Sequence, residues 1–115
     1  MADAKEILFV CACGVDRSPT GADVFNKHFQ SEGLDYIATY RGAIVADNSE
    51  DPLDKMVGRA HRVIAIEAWI ADTLGRWFPD SVEKTRQMDI PNNYARNDPY
   101  LLETFEEYYH SGEWK

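Results

Sequence analysis

The sequence predicts an α/β fold, a four-stranded parallel sheet with helices on both faces, and three observations predict it. Ile7-Leu8-Phe9-Val10 is an unbroken apolar run behind charged Lys5 and Glu6, the pattern of a strand buried on both sides. Strand-like and helix-like segments then alternate four times, the order produced by right-handed crossovers in a parallel sheet. Finally, a short loop rich in special residues, Cys11 to Ser18, stands where the first strand hands over to the first helix. Ligands of such sheets sit at the carboxyl ends of the strands.

The elements follow in order. After the central strand at 7–10, Ser18 is a natural N-cap and Pro19 suits a first helical turn, where its missing N–H costs nothing. The helix is expected over about 19–31, with Val24, Phe25, His28 and Phe29 on its apolar face and Gly33 stopping it. On that face His28 reads as a packing residue. Tyr36 to Tyr40, aromatic and β-branched, is the second strand, closed by Gly42, and a polar loop covers 46–52. Pro52 starts a short helix to about Arg59, and Arg62 to Ile66 is a third buried strand. A helix over 67–78 puts Ile70, Leu74, Trp77 and Phe78 on one face, where a Trp-rich stripe reads as core. Thr85 to Asp89 is the fourth strand, at an edge because Lys84, Arg86 and Gln87 are polar. Asp98-Pro99 caps the last helix, which runs to about His110 with Leu101, Leu102, Phe105 and Tyr109 inward.

Composition bounds the rest. A chain of 115 residues, 44% hydrophobic, can bury one real core and is too short for two, so a single domain is expected over 1–115. Twenty acidic against twelve basic side chains give a net charge of −8, which argues against nucleic acid or an anionic membrane as partner. Both cysteines, Cys11 and Cys13, lie in the loop, too close for an ordinary structural crosslink. No stretch reads as a signal peptide or a membrane-length apolar run, and a reducing cytoplasmic setting is expected. Nothing in the sequence sets the oligomeric state.

The loop carries the chemistry. Backbone N–H groups between a strand end and a helix start, with the positive end of the helix dipole behind them, form a hollow for an oxyanion. Cys11 and Arg17 bracket five residues, a spacing that lets the loop curl round one tetrahedral anion. The guanidinium then grips two oxygens of the anion while the sulfur faces its phosphorus. This is a phosphate-binding loop: Ala12, Cys13, Gly14, Val15, Asp16 and Ser18 line it, and its positive surroundings favour the thiolate of Cys11 as a nucleophile. Ser18 can hydrogen-bond that sulfur. A lone cysteine at a strand end is usually a small buried hydrophobe, but the spacing to Arg17 and the Ser18-Pro19 pair argue for the functional reading.

Phe9-Val10-Cys11 through Arg17-Ser18-Pro19-Thr20 resembles the signature of the low-molecular-weight protein tyrosine phosphatases, in their short form. Gly21-Ala22-Asp23-Val24-Phe25 is similar to the start of that family's first helix. Met88-Asp89-Ile90-Pro91-Asn92-Asn93-Tyr94 and Asp98-Pro99-Tyr100-Leu101-Leu102 resemble its late acidic loop and last helix. The resemblance implies hydrolysis of a phosphorylated protein or small phosphomonoester through a cysteinyl-phosphate, with Arg17 and the loop amides stabilising the equatorial oxygens and with no metal or cofactor. It also implies an aspartate in the late loop as general acid. Counting back from the last helix lands on Asn92, anchoring on Pro91 points to Asp89, and Asp98 doubles as an N-cap. Asp89 is the preferred candidate because a strand-end carboxylate faces the ligand crevice. Gly14 replaces an asparagine of many relatives and relieves positive-φ strain. Asp16, where many carry a second cysteine, is expected to face solvent or bond to backbone, and Tyr94 or Tyr100 are the aromatic residues available to flank a substrate ring.

Three rivals share parts of this pattern. An arsenate reductase needs further cysteines outside the loop, which the chain lacks, and a phosphocarrier domain does without Arg17. A non-catalytic module that binds phosphate or a phosphoprotein, with the acid lost, is kept open by Asn92.

Overall fold

A computed structural model describes residues 4–12, 16–43, 52–91 and 93–115. Its strands are β1 (Lys5–Cys11), β2 (Tyr36–Gly42), β3 (Arg62–Ala65) and β4 (Thr85–Gln87). Its helices are α1 (Arg17–Glu32), α2 (Leu53–Arg59), α3 (Ala68–Trp77) and α4 (Pro99–Ser111), with a short 3-10 helix at Pro79–Lys84. The strands pair in the order β2-β1-β3-β4, all in parallel. β1 is central, as its apolar run requires, and β4 is an edge strand, as its polar residues require.

The pleat of β1 divides the core in two. Ile7, Phe9 and Cys11 pack with Phe25, Phe29, Leu101 and Phe105 of α1 and α4, whereas Leu8 and Val10 pack with Val57, Ile70 and Leu74 of α2 and α3. Ile7, Leu8, Phe9 and Val10 are fully buried, so the side chains of this strand contact helices on both faces. Helix α1 approaches the sheet closely at Gly21, where a Cβ would lie 2.7 Å from Phe105 Cε1 and 3.0 Å from Phe9 Cδ1. It ends at Gly33 in the left-handed region, φ 64°, with the Gly33 N–H returning to the last turn.

Several expectations are corrected. Helix α1 begins two residues before Pro19, so Asp16 and not Ser18 holds the N-cap position, and the Ser18 hydroxyl is left to bond elsewhere. Trp77 is exposed, because α3 turns Ile70 and Leu74 inward and the chain leaves the helix at Phe78. Leu102 is likewise partly exposed beside buried Leu101. Trp114, beyond the last helix, is buried at 1% exposure against Phe25, Phe29, Tyr36 and Tyr109, and its indole N–H donates to the Tyr109 carbonyl. β4 stops at Gln87, yet Met88 and Ile90 donate backbone hydrogen bonds to Ala65 and Ile66 and carry the ladder on to the carboxyl edge. The polar loop at 46–51 lies outside the described residues.

Candidate active site

β1 and β3 are neighbours, and the chain leaves them for helices on opposite faces, α1 from β1 and α3 from β3. The crevice at their carboxyl ends is where a sheet of this type binds a ligand. Cys11 closes β1 at 3% exposure, and Arg17 and Ser18 open α1 at 1% and 0%. The Ser18 Oγ lies 3.0 Å from the Cys11 Sγ, so the hydroxyl can donate to a thiolate. Ser18 reaches the sulfur because it sits in the first turn of the helix with its side chain facing back toward the strand end.

Arg17 is held from two sides. Its Nη1 donates to the Ile90 carbonyl at 2.6 Å and to the Glu67 carboxylate in a short charged contact. Glu67 lies two residues past β3, at the N-cap position of α3, and Ile90 continues β4, so the ends of two neighbouring strands fix the guanidinium. The other nitrogen, Nη2, is buried and finds no hydrogen-bond partner among the described residues. A buried guanidinium N–H left unsatisfied costs free energy comparable to a lost charged hydrogen bond, and an oxyanion is the partner that removes the cost. This orphaned donor is the observation that points most directly to an anion.

The late loop is tied to the first turns of α1. Asp16 accepts a hydrogen bond from the Arg96 N–H at 3.1 Å, so its carboxylate is engaged with backbone. The Arg96 guanidinium meets Asp23 at 3.0 Å, and the Asn97 N–H donates to the buried Thr20 hydroxyl at 2.9 Å. Asn97 takes a positive φ of 64°, a conformation asparagine tolerates better than most residues. Tyr94 and Tyr100 stack within this segment, ring centroids 4.5 Å apart.

Among the residues the sequence singles out, Cys11, Arg17 and Ser18 come together, with Ala12 buried beside them. Cys13, Gly14, Val15 and Asn92 lie outside the described residues. Asp89 is exposed between buried Met88 and Ile90 and lines a cavity against Thr104, Glu107 and Tyr108 of α4, with no hydrogen bond or ion pair to Cys11, Arg17 or Ser18 among the described residues. Asp98 accepts from the Tyr100 N–H at 2.9 Å and caps α4. Sequence reasoning missed Glu67, which reads there only as the first polar residue of a helix. Its signal is positional: it is the one carboxylate within two residues after the third strand.

No protein-family model matches the chain, and neither does any curated protein. Solved structures share its fold. The YwlE arginine phosphatase from Geobacillus stearothermophilus superposes with a TM-score of 0.66 at 20% identity over 90% of this chain and 84% of that one. A low molecular weight protein tyrosine phosphatase from T. tengcongensis gives 0.70 at 18% identity over 90% and 92%. The tyrosine phosphatase Wzb from Escherichia coli K30, in complex with phosphate, gives 0.68 at 16% identity over 96% and 99%. At such identities the likeness is one of fold, and the fold is the one that the loop signature implies.

Proposed function

We propose that the chain is a phosphomonoester hydrolase of the low-molecular-weight protein tyrosine phosphatase type, acting through a cysteinyl-phosphate. The observation that carries the reading is the Arg17 Nη2, a buried cationic donor with no hydrogen-bond partner among the described residues, in the same helical turn as the Ser18 hydroxyl that meets the Cys11 sulfur. The Cys11 thiolate attacks phosphorus, forming the S–P bond as the ester P–O bond breaks. Water then attacks the same phosphorus, the S–P bond breaks, and phosphate leaves. Arg17 supports the charge on the equatorial oxygens in both steps, with Glu67 and the Ile90 carbonyl fixing its plane. Ser18 stabilises the thiolate before attack and when it is released.

The leaving oxygen takes its proton from Asp89, the exposed carboxylate next to the carbonyl that holds Arg17. The stacked Tyr94 and Tyr100 support an aryl phosphate, with phosphotyrosine in a protein as the substrate class. A second reading, phosphate binding without turnover, is favoured by one observation: Asp98 is committed to its helix cap and Asp89 faces α4. Turnover decides between them. The wild type is expected to hydrolyse an activated aryl phosphate and phosphotyrosyl peptides, and Cys11→Ser and Arg17→Ala are expected to lose both activities. A wild type that binds vanadate and hydrolyses neither ester supports the binding module instead.

A further inference from the structure

Away from the loop, α1 and α4 bring two imidazoles and a carboxylate to one point on the surface. The His28 Nε2 lies 2.7 Å from Glu106 Oε2, and the His110 Nε2 lies 3.6 Å from the same oxygen. The ligating atoms of the three residues all fall within 4.8 Å of one another. Tetrahedral zinc with nitrogen and oxygen ligands holds its donor atoms about 3.3 Å apart, so an ion fits here once the widest pair closes by up to about 1.5 Å through shifts of half-buried His28 and Glu106 and exposed His110. Two imidazoles and one carboxylate form a donor set suited to zinc.

The arrangement follows from helical spacing and is braced from behind. Glu106 and His110 are four residues apart on α4 and share a face, and His28 comes from the adjoining turn of α1. The His28 ring stacks on Tyr109 at 4.2 Å and 11° between planes. Its Nδ1 lies 3.4 Å from Glu32 Oε2, the same oxygen that accepts the Tyr109 hydroxyl at 2.9 Å. A carboxylate behind an imidazole holds the proton on Nδ1 and presents the Nε2 lone pair outward, as in zinc sites where an outer carboxylate orients the ligand. The net charge of −8 favours a cation in the vicinity.

We propose that His28, Glu106 and His110 form a three-ligand zinc site, its fourth position open to water, that staples α1 to α4. His28 is eleven residues along α1 from Arg17, about 16 Å, so this site is separate from the anion site and independent of the phosphatase reading.

The test is calorimetric titration of the intact chain with zinc chloride in a non-coordinating buffer, with the imidazole nitrogens followed by long-range 15N NMR. One ion per chain is expected, shifting Nε2 of His28 and His110 and leaving His61 unmoved. His110→Ala, at an exposed position, should weaken binding at least about tenfold, and Glu32→Gln about tenfold through the orienting carboxylate. Zinc should raise the Tm of the wild type and not of His110→Ala. Affinity unchanged in both His110→Ala and Glu106→Gln, zinc that moves only the cysteine-bearing loop, or no binding at all would overturn the proposal and leave an ordinary hydrogen-bonded cluster.

Discussion

Gly21→Ala tests whether α1 is seated as tightly on the sheet as its side chains indicate, and the outcome reaches the active site because Arg17 and Ser18 open the same helix. The new methyl would meet Phe105 Cε1 at 2.7 Å, Phe105 Cζ at 2.9 Å and Phe9 Cδ1 at 3.0 Å. Both rings are fully buried and meet edge to face at 5.7 Å, so neither can retreat without disturbing the other. Overpacking of this kind costs about 1–3 kcal/mol, and the helix preference of alanine over glycine returns about 1 kcal/mol. With contacts this short the cost lies in the upper part of its range. The net destabilisation is therefore about 1–2 kcal/mol, a fall in Tm of about 4–8 °C. Gly75→Ala is the control: its methyl meets only Val82 Cγ2, at an ordinary 3.7 Å, so alanine should stabilise α3 by up to about 1 kcal/mol. Thermal and urea unfolding followed by circular dichroism measures both. Gly21→Ala as stable as Gly75→Ala would refute the close seating of α1 and, with it, the placement of Arg17.

Three further outcomes are expected. Glu67→Ala should lower stability by about 1–3 kcal/mol in urea unfolding, less than for a wholly buried pair because Glu67 is 24% exposed, and Glu67→Gln should lose less; an alanine variant as stable as wild type contradicts the contact. Burial pushes the Tyr108 and Tyr109 hydroxyls up to about 12, with the Glu113 charge adding at Tyr108 and the Glu32 hydrogen bond at Tyr109. The folded state thus favours the neutral rings, a contribution present in full below about pH 10 and lost as pH rises toward 12, so alkaline unfolding should fall in that window. Tyrosinate absorbance showing all six tyrosines ionising together near pH 10 with the fold intact would contradict it. Asp89→Asn should slow esters with basic leaving groups roughly a hundredfold and activated aryl esters little. If Asp98→Asn gives that pattern instead, the acid stands at the start of α4.

The sequence carries the fold in its periodicities. The Ile7–Val10 run is visible as a two-sided strand because no polar residue interrupts it, and the polar flanks of β4 announce an edge because an edge strand must keep solvent on one side. Cys11, Arg17 and Ser18 were legible because a loop of fixed length constrains which side chains can meet. Glu67 was not, because its contact with Arg17 spans fifty residues and exists only once β3 pairs with β1. The N-cap shifted to Asp16 for a related reason. Pro19 as a first helical residue favours Ser18 as the cap, but the tertiary bonds of Asp16 to Arg96 and of Thr20 to Asn97 secure an earlier helix start. Trp77 and Trp114 show where periodicity fails: a stripe identifies a face, and only packing decides which aromatic residue covers it.

In the proposed mechanism the Cys11 sulfur carries the phosphoryl group between two displacements. Rapid acid quench during turnover of a slowly hydrolysed aryl phosphate, followed by peptide mass spectrometry, observes that intermediate directly. A phosphoryl group is expected on the sulfur of Cys11, appearing no later than the first product and absent in Cys11→Ser. Turnover with phosphate found on Cys13, or with no phosphoenzyme and net inversion at a chiral phosphorus, would contradict it.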